Sequence, residues 1–490
     1  MSAFFKTSTE QDGKAASERD PYGRDVRAQP HSATARLRFE LSPGTHSLQQ
    51  PLDFSGLGPV ELHGHSAAST VLSAGTELNA SNFVDLGNGI FELHLRAAGL
   101  TDYGTLISGG LKDCQNNKTE LFVNNQRLWL ARWPNVAANG TWQWGRIANV
   151  TDAQTFVPEA SAPLTALAQD PDLWLHGYWV YDWSDEFVAV ANVSTRNGTI
   201  AMTTSTATPQ VGGRWMAINA QSQLDAPGEY YIDRASGRLT VMFPPGVHPS
   251  NQDFSAVLST LPHAIFTPNA TALHLHDLTV AYARGSGIVL PDARGALLER
   301  LVVANHGGNG TQVHGVNNQV RNSDFFNLAC MGLSVTGGNR TSLVPSNNVV
   351  DGNHIHDYAL WKRTYQGGLF WAGVGNSYLN NVIENGPHNG ILGGGNEADH
   401  LGGNNCIFVN NTLRHLAFET TDTGAFYSCG QDGQAWINRG NVIANCTFID
   451  VRMHEPTALG YSSVQAGRDS SRRAYCLPLE LHRPSISTIR

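Results

Sequence analysis

Lysine is nearly missing from this chain. It occurs only at positions 6, 14, 112, 118 and 362 of 490 residues, and the formal net charge is −9. No basic stripe is available to follow a phosphate backbone, so the sequence argues against a nucleic-acid partner. Charged residues of both signs reach only 15%. No apolar run approaches the ~18 residues of a membrane-spanning helix, so no membrane span is expected. Six cysteines are present, at 114, 330, 406, 429, 446 and 476, and none forms a CxxC pair; that pattern excludes a zinc ribbon. No segment keeps an i, i+3, i+4, i+7 apolar spacing through a repeat length, which excludes a helical solenoid.

Glycine and asparagine fill the gap. Gly numbers 50, and Asn recurs in one local phrase: Arg321-Asn322-Ser323, Gly352-Asn353-His354, Asn380-Asn381-Val382, Asn410-Asn411-Thr412 and Asn445-Cys446-Thr447. The key positions 322, 353, 381, 411 and 446 are 31, 28, 30 and 35 residues apart, a period that signals a solenoid. Asn317, Asn348, Asn376, Asn405 and Asn441 precede them by five or six residues, with short apolar alternations between. Gly opens a further apolar phrase in most units, as in Gly332-Leu333-Ser334-Val335 and Gly424-Ala425-Phe426-Tyr427. Short strands bounded by Gly and Asn turns mean stacked β-coils, and equivalent Asn side chains are expected to stack in ladders. Cys406 and Cys446 fall in neighbouring coils, which allows either a pairing or two buried thiols.

The expected fold is all-β: a right-handed parallel β-helix with an inserted β-rich subdomain. Residues 1–33 are polar and lack an apolar signal core, and a disordered leader is expected there. Residues 34–114 read as N-terminal coils and cap. Residues 115–250 break the rhythm and hold Trp129, Trp133, Trp142, Trp144, Trp174, Trp179, Trp183 and Trp215; they are expected to form the insertion. Residues 251–463 carry the regular coils, and 464–490 lose the strand period as an aberrant or truncated tail. Asn-X-Ser/Thr glycosylation sites recur from Asn79 to Asn445, and their density points to a secreted glycoprotein, although this chain shows no signal peptide. A monomer is expected.

Several phrases resemble the pectate-lyase-like superfamily of right-handed β-helices, nearest to glycoside hydrolase family 141-like proteins. They include Glu120-Leu121-Phe122-Val123-Asn124-Asn125, Gly177-Tyr178-Trp179-Val180-Tyr181-Asp182-Trp183, Gly386-Pro387-His388 and Glu419-Thr420-Thr421-Asp422-Thr423-Gly424-Ala425-Phe426-Tyr427. The likeness spans about residues 35–463. It implies a pair of Asp side chains from two acidic phrases. This chain has Thr421 where the family has the first Asp of one phrase, and Gly467-Arg468-Asp469 stands near where the second phrase belongs.

Glycoside cleavage needs a general acid and a second carboxylate, ~5–5.5 Å apart for retention and ~6.5–9.5 Å for inversion. Coils stacked at ~4.8 Å supply such spacings. Asp422 is the first candidate acid, its alternative being a turn Asp that bonds its own backbone. Asp432 is the candidate second acid, with Glu419 and His388 as further catalytic candidates. Trp361, Lys362, Arg363, Tyr365, Glu397 and Tyr427 are candidate substrate-binding residues, since aromatic faces stack on sugars and Arg clamps uronates. His354 and His356 form an HxH pair on one strand face; zinc would require a third ligand such as His388 or His415, and no metal is expected. The expected function is hydrolysis of a complex or acidic polysaccharide through paired carboxylates on adjacent coils. The alternatives are a polysaccharide lyase, with Lys362, Arg363 or a His as base, and a non-catalytic glycan-binding β-helix. No cofactor is expected, Ca²⁺ entering only under the lyase alternative.

Overall fold

The computed structural model describes residues 36–110, 114, 117–137, 139–394, 403–428 and 440–452, together with the backbone of 6–10. Three long sheets dominate. The first runs from Lys6–Glu10, paired antiparallel, through Arg36–Leu41, Val60–Gly64, Leu273–His276 and Gln319–Arg321 to Val442–Ala444. The second runs from Gly44–Ser47 through Asp324–Leu328 and His354–His356 to Thr447–Val451, and the third from His263–Phe266 through Leu369–Gly373 to Phe426–Tyr427. Successive coils add one parallel strand to each sheet, so Asp324 pairs with His354 and His356 with Glu384. This is a parallel β-helix.

Strand alternation fills its interior. Phe325, Ile355, Ile383 and Leu413 point inward from successive coils of the second sheet and are buried, as are Val320, Val350, Tyr378 and Phe408 from the first. The Tyr378 and Phe408 rings stack 4.9 Å apart. Inward positions along one face are apolar because a three-residue strand has no other way to bury surface than against the coil above and below.

Two Asn ladders satisfy the turns between these strands. Ser323 N donates to Asn353 Oδ1 at 3.1 Å, Asn353 N to Asn381 Oδ1 at 3.0 Å, and Asn381 N to Asn411 Oδ1 at 3.0 Å. The inner rung is therefore Ser323 in the first phrase, one residue beyond Asn322. Asn322 instead takes the outer, left-handed corner at φ +47°, the place held by Gly352, Asn380, Asn410 and Asn445 in the later coils. Asn serves both jobs, as the side chain most tolerant of positive φ after Gly and as an amide donor and acceptor, so the sequence does not tell them apart. The second ladder shows the same offset: Asn318, not Asn317, donates its N to Asn348 Oδ1 at 2.9 Å. At the end of the first ladder Asn411 Nδ2 meets Cys446 Sγ at 3.8 Å. Cys406 and Cys446 are buried free thiols, while Cys114 and Cys330 form a disulfide with Cα atoms 6.2 Å apart.

The chain leaves the stack after Thr70–Ser73 and rejoins it at His263–Phe266. The excursion between them, which contains 115–250, is mostly antiparallel. Six of its strands close on themselves: Arg214–Ile218, Gly145–Val150, Thr155–Pro158, Thr199–Met202, Glu186–Ser194 and Trp174–Tyr178, the last pairing back onto Arg214–Ile218. Ile147, Phe156, Trp179, Trp215, Ile200 and Val188 fill this small barrel. Closure removes the exposed strand edges that such a sheet would otherwise present.

Candidate functional site

The barrel and the coils meet along a seam built from ionised side chains. Four segments converge on it: 176–187 from the barrel, 358–366 between the second and third sheets, the 386–390 turn, and 419–427 one coil later. Lys362 is wholly buried, with Nζ 2.8 Å from Asp185 Oδ1. Asp185 also accepts from the Arg363 and Thr364 backbone N–H groups at 3.0 and 3.3 Å and lies 2.8 Å from His176 Nε2. Burial favours the neutral acid, yet Lys362 and His176 hold the Asp185 carboxyl well below the usual range. Next to it, Arg363 Nε lies 3.1 and 3.2 Å from the two Glu419 oxygens, and Tyr178 donates to Glu419 Oε1 at 3.0 Å. Against its burial, the Arg363 guanidinium keeps Glu419 ionised.

Two side chains expected to face substrate therefore turn inward. Lys362 and Arg363 are consumed in ion pairs. Trp361 stacks on Phe187 at 4.2 Å, with Lys118 Nζ 4.2 Å from its ring centroid. Trp361 and Tyr365 are both half-buried, Tyr365 at φ +52°. The Tyr365 ring lies 4.7 Å from His388, 6.2 Å from Tyr427 and 6.4 Å from Trp183, and Trp183 stacks on Tyr181 at 4.6 Å with an interplanar angle of 10°. The result is an aromatic arc with half-exposed rings at Tyr181, Trp183 and Tyr365.

Asp422 lies in the 419–427 segment, which is bonded to the turn beside Tyr365. Its neighbour Thr423 accepts from Asn389 Nδ2 at 2.8 Å, which ties the acidic phrase to the turn carrying His388. Asp422 occupies the left-handed region at φ +50° and is exposed, and partial desolvation alone raises its carboxyl above the ordinary range. His388 is fully buried. The Tyr365 N–H approaches its Nδ1 at 3.3 Å, its Nε2 has no hydrogen-bond partner, and burial pulls its pKa down to about 4, so the ring is neutral at ordinary pH. Asp432 and Glu397 lie outside the described residues.

Sequence reasoning missed Tyr181, Trp183, Asp185 and Asn389 as members of the site. The run Trp179-Val180-Tyr181-Asp182-Trp183-Ser184-Asp185 has an unusual density of aromatic and acidic residues, the one signal that was available. Nothing local says that this barrel segment meets a coil turn some two hundred residues later.

No family model matches the chain, and no curated protein matches it. Among solved structures it is similar to one described as a glycoside hydrolase, at 12% identity over 85% of this chain and 89% of that one, with a TM-score of 0.42. It is also similar to XylC in complex with xylose, at 9% identity over 84% and 59% and a TM-score of 0.38. The periplasmic alginate epimerase AlgG aligns at 14% identity over 38% and 42%, with a TM-score of 0.28. The class is fixed by this chain's own strand registers: a parallel β-helix carrying a closed antiparallel barrel clamped to one flank.

Proposed function

We propose that this protein is a carbohydrate-active enzyme that cleaves a glycosidic bond in a polysaccharide lying along the aromatic arc, with Asp422 as the proton donor. The observation that supports this most is the conjunction of half-buried, differently oriented rings at Tyr181, Trp183 and Tyr365 with an acidic phrase, bearing the desolvated Asp422 carboxyl, that Thr423 ties to the His388 turn. Rings of this kind stack on the apolar faces of sugars. Desolvation shifts the Asp422 carboxyl upward, the direction required of a group that donates a proton to a leaving glycosidic oxygen. Asp432 is the natural partner carboxylate under this reading. Neutral His388 serves to position the substrate or Tyr365, and ionised Glu419 to brace the site from beneath.

The lyase reading has less support, because Lys362 and Arg363 are buried in ion pairs and neither is available as a base, which leaves that role to a histidine. The test is a panel of acidic and neutral polysaccharides incubated with the full chain and with Asp422→Asn. Hydrolysis yields reducing ends without the ultraviolet absorbance of an unsaturated uronate, and Asp422→Asn is expected to lower the rate by about 10²–10⁴-fold. An unchanged rate rejects Asp422 as the acid. Absorbing products turn the assignment to β-elimination, and tight binding without turnover by the unaltered chain turns it to a glycan-binding module.

A further inference from the structure

The outer face of the second sheet carries a cluster that the seam does not use. Asp324, His354 and His356 project outward from two neighbouring coils, on the face opposite buried Phe325 and Ile355. Asp324 Oδ1 lies 3.3 Å from His354 Nδ1 and 3.3 Å from His356 Nε2. That oxygen is shielded from solvent and accepts no hydrogen bond of good geometry. The three ligand atoms all lie within 4.8 Å of one another. A tetrahedral zinc ion ~2.1 Å from its ligands holds them ~3.4 Å apart, so the Asp324 edges already have the span such an ion imposes.

The opposite nitrogens carry the stronger argument. His354 gives its other nitrogen, Nε2, to Glu384 Oε1 at 2.7 Å, and His356 gives its Nδ1 to Asp357 Oδ2 at 2.6 Å. Each imidazole thus turns one nitrogen to the shared space and rests the other on a carboxylate, the arrangement that fixes the tautomer and basicity of metal-bound histidines. Phe326 stacks on His356 at 5.0 Å, and the two imidazoles stack at 4.2 Å, so the rings are held in place. Neither His388 nor His415 joins the group: His388 lies in the seam, and His415 pairs with Asp450. A second histidine stack, His63–His276–His274 on the first sheet, has arginines on its acidic groups, Arg38 at 3.8 Å from Glu61 and Arg300 on Asp277. At the Asp324 cluster the arginine, Arg414, is spent on Glu384, away from the three facing atoms.

We propose that Asp324, His354 and His356 form a binding site for a divalent transition-metal ion of the zinc class, which staples two coils immediately upstream of the 358–366 segment. Water completes the coordination. The role is structural, because the site lies on the outer coil surface and uses none of the seam residues.

The test uses the full chain, stripped with EDTA and returned to chelator-free buffer. Titration with ZnCl₂ in a calorimeter is expected to show one tight site per chain, and CoCl₂ to give the visible absorption of a tetrahedral nitrogen- and oxygen-ligated ion. Asp324→Asn with His354→Ala is expected to weaken zinc binding by about 100-fold or more, while His274→Ala on the other stack leaves it within about threefold. Zinc should raise the Tm of the unaltered chain and not that of the double variant. His356→Gln gives a second measurement if the double variant does not fold. Absence of zinc binding overturns the proposal, leaving a protonated ion-paired cluster. Binding that survives in the double variant or in His356→Gln, or that is lost in His274→Ala, overturns it as well.

Discussion

The coil interior and the barrel seam bury polar groups in opposite ways. In the coils each buried amide repeats, and every copy satisfies the next: Asn353, Asn381 and Asn411 each accept from the coil before and donate to a carbonyl. The groups are neutral, and their desolvation is met by hydrogen bonds of ordinary length. In the seam the buried groups are ionised, each occurs once, and each partner comes from a remote part of the chain. Desolvating two charges costs several kcal/mol per ion and is offset only where the geometry is complete. A ladder can be extended by adding coils. The seam admits a single arrangement of barrel on coils, and it is the seam that holds the Tyr365 segment against the His388 turn.

The comparison breaks most visibly at Glu419. Glu419→Ala should cost about 3–5 kcal/mol in denaturant unfolding, because Arg363 is left buried without its partner. Arg363→Met with Glu419→Leu should recover at least half of that loss, whereas equal losses in the single and double variants would mean that the pair is not what the seam depends on. Next in size is a pH effect inside the excursion. Glu229 is as buried as Glu419, but burial and the neighbouring Asp225 push its carboxyl up to about 8. Its folded pKa is raised above the unfolded value near 4.5, so its contribution is fully present below pH 4.5 and is lost as pH rises through 8. The unfolding free energy of the unaltered chain, measured in denaturant, should fall relative to that of Glu229→Gln across this window by on the order of a few kcal/mol; parallel curves would show that Glu229 is ionised in the fold. The smallest effect belongs to the ladder. Asn381→Ala strands the Asn353 N–H and the Val350 carbonyl, and about 2 kcal/mol is expected. A loss as large as that of Glu419→Ala would erase the distinction between the two regions.

These differences track what was legible beforehand. The coils could be read from Asn353, Asn381 and Asn411, because a solenoid repeats its chemistry at the period of its geometry. Even there the register slipped by one at Asn322, where one residue type serves both the corner and the ladder. The acidic phrase around Asp422 was legible as a candidate acid. Lys362 and Arg363 were read as facing sugar, since Lys and Arg look alike in a binding cleft and in a buried clamp. Only the approach of Asp185 and Glu419 separates the two cases. Tyr181 and Trp183 went unread as site residues because their partner Tyr365 lies in a different part of the fold.

The order of the residues alone determined the coiled sheets, their apolar interior and the corners that turn them, because each depends on neighbours within one repeat and on an identical repeat above. Tertiary structure alone decided which carboxyls stay charged and which aromatic rings face outward. Those outcomes depend on desolvation and on the nearest opposite charge, and here that charge sits 177 residues away for Lys362 with Asp185 and 56 for Arg363 with Glu419, while the Tyr178 hydroxyl reaches Glu419 across 241.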